Sequence, residues 1–287
     1  MSTLYIVATP IGNLEDLTAR AARILGEVDR VVAEDTRRTG ILLKHLGIRV
    51  RLTSLHAHNE ASRAPALIEW LNAGETVALV SDAGTPVVSD PGERTVASVR
   101  DAGHDVVPLP GPSAVLAALA GSGLPAERFA FLGFVPRKGT DRRSTLERIA
   151  GSLETVIVFE SPERLCKLLE ALHQLDAERQ ICVARELTKI HEEFRRGTAH
   201  ELLGYYEEAG VRGEVTVVIA PVAIGREDGP AEDEIRKRVA ELLDEGMRPS
   251  KVAREVAQEM GVPRNRAYEI VQELNSEHEA EAGESRD

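Results

Sequence analysis

The sequence predicts an α/β protein: two α/β domains followed by a small helical, helix-turn-helix-like C-terminal domain. Three observations carry this. Short β-branched runs alternate with segments of helical spacing over the first 112 residues; the rhythm changes after Pro110-Gly111-Pro112; and a break rich in Gly, Pro and charge at 225–230 precedes amphipathic helical sequence. Strands alternating with helices make a mainly parallel sheet covered on both faces. A chain of 287 residues also exceeds one small core.

In the first domain (1–112), the runs Leu4–Ala8, Arg30–Ala33, Thr76–Val80 and Asp105–Val107 read as strands, with a further strand ahead of His56. Leu67, Ile68 and Leu71, and the segment Val96–Arg100, carry helical spacing. In the second domain (113–225), a small-residue helix at Ser113–Leu119 leads to strands at Phe129–Phe134 and Thr155–Phe159. A helix from Pro162 and strands at Gln180–Ala184 and Val215–Ala220 follow. Residues 226–230 read as a linker and 231–275 as helices. Three apolar stripes mark those helices: Ile235, Val239 and Leu242-Leu243; Val252, Ala253, Val256 and Met260; Ala267, Ile270, Val271 and Leu274. Ser250 is placed to cap the second helix, and helix, short Gly turn, helix is helix-turn-helix spacing. Residues 276–287 hold five acids, one Arg and no bulky apolar side chain, the composition of a solvated, disordered tail.

Charge and cysteines narrow the class. Cys166 and Cys182 are too few for a disulfide scaffold and match no zinc spacing, so a reducing, cytoplasmic compartment is expected. No secretory leader or membrane-spanning run is visible. The net charge of −12 argues against nucleic acid until its distribution is read. Residues 226–287 hold ten Arg/Lys against seventeen Asp/Glu, so more than half of the excess lies there. The rest is mildly acidic and carries discrete basic segments, and phosphate binding depends on such local clusters.

Several segments at strand ends can carry chemistry. Thr9-Pro10-Ile11-Gly12-Asn13 ends the first strand, where open α/β sheets bind ligands. It is either a ligand loop or an ordinary turn before a helix capped by Thr18, and it lacks the G-x-G-x-x-G dinucleotide spacing. Ser81–Gly92 packs two Ser-Asp pairs, two Gly and two Pro into one loop, more chemistry than a structural connection needs. Glu34-Asp35-Thr36-Arg37-Arg38 is either a capped helix start or a phosphate site built on Arg37 and Arg38. His56-Ala57-His58 has no third metal ligand at useful spacing; with Asn59 it reads as a polar wall or a helix start, and no metal is expected. Ser161 and Pro162 read as N-cap and first residue of a helix, which leaves Glu160 unexplained. Arg185–Gly197 is dense in both charge signs and follows a strand. Arg137, Lys138, Arg142 and Arg143, with Arg37, Arg38, Lys189, Arg195 and Arg196, could form one positive wall for phosphate.

In order, LYIVATPIGNLEDLT, EDTRRT, HAHNE, SDAGTPVVSDPG, LPGPSA, FLGFVPRK, FESPERL, RELTKIHEEF and GEVTVVI resemble the tetrapyrrole methylase-like (class III) S-adenosylmethionine methyltransferases, and within them the branch that methylates ribosomal RNA. The likeness spans about 1–275. Members on the corrin and haem pathways carry G-x-G-P-G-D and G-D-P loops where this chain has Thr9–Asn13 and Ser81-Asp82-Ala83, which weighs against a tetrapyrrole substrate.

The resemblance implies two α/β domains with S-adenosyl-L-methionine in the cleft between them. It places the donor at Pro10, Ser81, Asp82, Ala83, Thr85, Ser113, Ala114 and Phe159, with Glu214-Val215-Thr216 on the far side. It further implies a homodimer acting on 16S rRNA, within the small ribosomal subunit near the decoding centre, and 2′-O-methylation of cytidine 1402. A ribose hydroxyl must lose its proton, so a cleft carboxylate or His is the candidate base: Glu186 first, then Glu160 and Glu34, with His56 weaker. In the helical domain, Arg248, Lys251, Arg254, Arg264 and Arg266 either face phosphate or sit on a packing appendage. Two rivals stand: a tetrapyrrole methyltransferase, and a ligand-sensing helix-turn-helix regulator that would bind duplex DNA without turnover of the donor.

Overall fold

The computed structural model describes residues 2–222, 232–245, 247–260, 262 and 267–274. The linker expected at 226–230, the tail at 276–287, and Arg264 and Arg266 lie outside the described residues. The chain divides into two compact units, 1–222 and 223–287.

The first unit contains two five-stranded sheets. Its first half runs β1 (Thr3–Val7), α1 (Ala19–Glu27), β2 (Arg30–Ala33), α2 (Thr36–His45), β3 (Arg51–Ser54), α3 (Glu60–Asn72), β4 (Val77–Val80), α4 (Glu93–Asp101) and β5 (Asp105–Leu109). The strand order is β3-β2-β4-β1-β5, and every pairing is parallel. Central β4 reads VALV and is buried at all four positions, as a strand covered on both faces requires. One face packs Val7, Leu25, Val31 and Val80, the other Leu4, Val32, Leu67 and Leu79. The parallel register brings the carboxyl ends of β1, β2 and β4 to one edge, so Thr9, Glu34 and Ser81 emerge together.

The second half continues with α5 (Ala114–Ser122), β6 (Phe129–Phe134), α6 (Gly139–Ala150), β7 (Thr155–Glu160), α7 (Pro162–Leu175), β8 (Gln180–Arg185), β9 (Glu193–Thr198), α8 (Ala199–Ala209) and β10 (Val215–Ile219). Its order is β6-β7-β10-β8-β9; only β6 and β7 pair in parallel, and the rest are antiparallel. β9 was not foreseen. Its sequence EFRRGT is charged because it is an edge strand, paired only with β8. Helix α5 is apolar nearly all round; Val115, Ala118 and Leu119 pack with Ile157, Cys182 and Val218. A Cβ on Gly121 would come within 2.4 Å of the Phe194 ring, so α5 can lie this close to β9 only with glycine there.

Helix starts follow local chemistry. Thr18 Oγ1 accepts from Ala21 N (3.1 Å), Asp35 from Arg37 N (2.8 Å), and Thr198 and Glu201 form a reciprocal capping box. Asn59 and Ser161 stand at the expected N-cap positions, but their side chains bond elsewhere. Asn59 accepts from His56 N (2.8 Å), outside its helix, and Ser161 Oγ accepts from Arg164 Nε (3.2 Å). Pro162 follows Ser161 at the first position of α7, where its φ is preset for a helix and its missing N–H costs nothing.

The second unit holds α9 (Glu232–Asp244), α10 (Pro249–Glu259) and α11 (267–274). Ile235, Val239, Leu242, Val252, Ala253, Val256, Ala267, Ile270 and Val271 form its core, the interior sides of the three expected stripes. Arg238 pairs with Glu241 and Glu259 and so ties α9 to α10. The cap of α10 is Arg248 rather than Ser250, because Pro249, with φ preset for a helix, already occupies the first helical position, as Pro162 does in α7. Arg248, Lys251 and Arg254 are exposed. No helix among the described residues is long and apolar enough to cross a membrane.

Candidate active site

A cavity of about 330 Å³ opens between the carboxyl edge of the first sheet and the second half of the unit. That size suits a cofactor or drug-sized ligand. Its walls come from the loop after β4 (Asp82–Thr85 and Val88–Asp90), the start of α5 (Ser113–Val115), the end of β7 (Phe159–Pro162) and the entry to β10 (Gly213–Thr216). Ile11, Arg38 and Phe134 complete it.

The loop after β4 is fixed from several sides. Thr9 and Gly84 exchange backbone hydrogen bonds (2.8 and 2.9 Å), so the turn after β1 braces it. Thr9 Oγ1 donates to Ser81 O (3.1 Å), and Thr85 Oγ1 donates to Pro112 O (3.1 Å) between the two halves. Buried Glu60 accepts from Thr95 N and Oγ1, holding the first turn of α4. Val87 and Ser89 have positive φ (76° and 64°), a conformation a β-branched residue holds only under constraint. At Gly92 (φ 127°) a Cβ would meet Leu79 Cδ2 at 2.9 Å.

Acidic groups dominate this side. Asp82 accepts from Asp35 N (2.9 Å) and pairs with Arg38 (3.5 Å). Burial pushes the Asp90 carboxyl above its ordinary range, and Asp82 adds to this against the pull of the Ser81 hydroxyl. Burial likewise raises Glu34, with Asp90 and Asp82 reinforcing it. Asp35 is held down at about 2 by hydrogen bonds from the Arg37 side chain and backbone.

The expected donor residues separate into two groups. Asp82, Ala83, Thr85, Ser113, Ala114 and Phe159 line the cavity, as does Glu214-Val215-Thr216. Ser81 is buried behind the loop, its hydroxyl 3.3 Å from Gly84 O, and half-buried Pro10 is not on the wall. Ser113 also caps α5, accepting from Leu116 N (3.5 Å).

The three expected bases occupy different environments. Glu160 is buried on the wall; Arg164 pairs with it, Ser161 N donates to Oε1 (2.8 Å), and Oε2 has no hydrogen-bond partner among the described residues. Glu34 lies off the wall beside Asp82 and Asp90. Glu186 is also off the wall. Its Oε1 accepts from Lys189 Nζ (2.8 Å) and Glu214 N (3.0 Å), and those two bonds hold its carboxyl below the usual range. His56 is half-buried, its ring 6.1 Å from that of His58. Sequence alone does not single out Asp90; its signal is its place in the Ser-Asp-rich loop.

The nine expected RNA-binding cations also divide. Arg38 lines the cavity, and Arg37, paired with Asp35, is exposed beside it on α2. Arg137, Lys138 and Arg143 are exposed. Arg142 donates to Pro136 O and Lys167 O, bracing the loop between β6 and α6. Lys189 is held by Glu186 and Glu214. Arg195 pairs with Glu193 and lies 3.4 Å over the Tyr205 ring, and Arg196 donates to Gly123 O (2.8 Å).

Fold and cavity define the class: residues 3–203 match the family model Tetrapyrrole (Corrin/Porphyrin) Methylases, and 229–275 match the RsmI C-terminal HTH domain. Among solved structures, cobalt precorrin-4 methyltransferase superposes with a TM-score of 0.60 at 16% identity, covering 76% of this chain and 94% of that one. A Thermus thermophilus uroporphyrin-III C-methyltransferase, complexed with S-adenosyl homocysteine, gives 0.54 at 21%, covering 76% and 97%. At these identities the likeness is one of fold. Ribosomal RNA small subunit methyltransferase I of Synechocystis sp. is 43% identical over 96% of this chain and 100% of its own length. The proteins of that name from Mesorhizobium japonicum and Escherichia coli O157:H7 are 45% and 43% identical, each over 94% of this chain and 92% and 94% of their own. The chain belongs to the ribosomal RNA small subunit methyltransferase I family.

Proposed function

We propose that the chain transfers a methyl group from S-adenosyl-L-methionine to the ribose 2′-oxygen of a cytidine in 16S rRNA, in the cytoplasm, on the small ribosomal subunit. Family membership supports the donor and an rRNA substrate. The observation that carries the reading is the cavity itself. Asp82, Asp90 and Glu214 place carboxylates on its walls while Ile11, Val115 and Phe159 give it apolar surface. A cationic ligand with a flat heteroaromatic end fits that combination.

The donor supplies an electrophilic methyl on a positively charged sulfur that leaves as a neutral thioether. The protein therefore aligns the hydroxyl and accepts its proton. We assign the proton acceptor to Asp90, on the wall and with raised proton affinity, ahead of its neighbour Glu34 and of Glu160. Glu186 falls behind them because it lies off the wall and its charge is already taken up by Lys189 and the Glu214 amide. We assign phosphate contact to the exposed cations Arg37, Arg38, Arg137, Lys138 and Arg143, and docking by the helical unit to exposed Arg248, Lys251 and Arg254. The working assembly is a homodimer; a 31.2 kDa particle by light scattering would overturn that.

The test is incubation with labelled donor and either small subunits or naked rRNA. Label recovered as 2′-O-methylcytidine is expected. Label on a base, on a tetrapyrrole or nowhere overturns the reading. Removing residues 223–287 should weaken rRNA binding and spare donor binding; equal RNA affinity would make the helical unit a packing appendage.

A further inference from the structure

The sequence Phe129-Ala130-Phe131-Leu132-Gly133-Phe134 forms β6, and its pairing with β7 is irregular. Phe131 lies opposite Ile157 and Phe134 opposite Phe159, so three steps on β6 match two on β7. This is a β-bulge, one extra residue on one strand. Gly133 sits within it at φ 67°, where a Cβ would come within 3.2 Å of Ser89 Oγ. The consequence is a change of parity. In a regular strand, residues three apart point to opposite faces. Here the extra residue returns Phe134 to the face of Phe131, and both rings meet Phe159 edge-on at 4.8 and 5.4 Å.

Phe131 is half-buried in this cluster, whereas Phe134 is 57% exposed and stands on the cavity wall. A large aromatic held firmly on its underside and open above is a stacking surface. Three to four residues further along the chain, Arg137 and Lys138 are exposed, and Arg38 lines the same cavity. An aromatic face beside cations is how proteins hold an unstacked nucleotide, base on ring and phosphate on cation.

We propose that Phe134 is the stacking platform for the nucleobase of the nucleotide being methylated, aimed at the cavity by the Gly133 bulge. This rests on the rRNA reading above. It commits the enzyme to a target drawn out of its helical stack, with base on Phe134 and ribose over the cavity.

The test measures Phe134→Ala, Phe134→Leu and Phe134→Trp against the unaltered protein. Three readouts serve: KM and kcat on small subunits, affinity of the protein for small subunits in the presence of S-adenosylhomocysteine, and donor affinity by calorimetry. Phe134→Ala and Phe134→Leu should raise KM and weaken subunit binding about tenfold or more, within the range of one lost base–aromatic stack. Donor affinity should stay within about twofold and Phe134→Trp should recover binding, because every aromatic ring offers a stacking face. Unchanged subunit binding in Phe134→Ala overturns the inference. So does recovery by Leu as full as by Trp, which would make the site merely apolar. A fall in donor affinity assigns the ring to the donor, and a change of oligomeric state assigns it to a subunit contact; either overturns it. Failure of the unaltered protein to methylate rRNA is a separate result, and it removes the parent reading along with this one.

Discussion

The loop Ser81–Gly92 and the segment Arg185–Gly197 both hold carboxylates beyond a strand of a sheet, and those carboxylates behave oppositely in the folded chain. Each also holds two non-glycine residues at positive φ, Val87 and Ser89 in one, Glu186 and Thr188 in the other. In the first, Asp90 and its neighbour Glu34 face burial and like charge, and their proton affinity rises. In the second, carboxylates are matched by cations. Glu186 is bound by Lys189, and Glu193 is bound by Arg185, Arg195 and Tyr205, which hold it low against the upward push of burial. A carboxylate read along a chain thus does not distinguish a reactive site from a brace; the partner of each carboxylate does. The largest effect expected from this contrast is Asp90→Asn. Loss of a general base costs about 100-fold or more in turnover. Single-turnover methylation of small subunits at saturating donor should fall by that factor. A rate within about threefold of the unaltered enzyme would remove Asp90 from the chemistry.

Gly213 and Glu186 probe the brace. At Gly213 (φ 81°) a Cβ would meet Glu186 Oε1 at 2.2 Å, so the backbone entering β10 and the carboxylate occupy adjoining space that tolerates no side chain. Gly213→Ala should cost about 1–3 kcal/mol in chemical denaturation and loosen the wall formed by Glu214–Thr216. Glu186→Gln is milder, about 1 kcal/mol, since it keeps the shape and weakens the pairing with Lys189. Its methylation rate should stay within about threefold. A 100-fold loss of rate at unchanged stability would erase the contrast and restore Glu186 as the base.

How much of this was legible follows from the same physics. The apolar runs of β1, β2 and β4 are strands in any reading because both faces are covered. The loop after β4 announced itself by composition, and most of its expected donor residues reach the cavity wall. Less visible were features set by pairing. Strand β9 has the composition of a solvated loop because its only partner is β8. The bulge at Gly133 cannot be seen in FLGF without the register of β7. Ser250 looked like a cap, yet Pro249 one residue earlier already fixes the helix start. Glu186 and Asp90 each lie beyond a strand end in sequence, and only the contacts of Lys189 and Asp82 separate their roles.

The smallest effect, and the one that sharpens the comparison most directly, is in the pH dependence of stability. A carboxyl whose folded pKa is raised binds more protons in the folded state, so its contribution to stability declines as pH rises through the carboxylate range. Asp90 and Glu34 act in that direction. Glu186 and Glu193 are lowered, so their contribution is present above the ordinary glutamate pKa of 4.5 and fades as pH falls below it. The two regions therefore pull the stability curve in opposite senses across the same window. Urea unfolding of the unaltered protein, Asp90→Asn and Glu193→Gln from about pH 3 to pH 7 separates them. Relative to the unaltered protein, Asp90→Asn should gain stability as pH rises and Glu193→Gln should lose it. The same sign for both would mean that Asp90 is paired after all, and that the difference between the two regions is one of position rather than of charge.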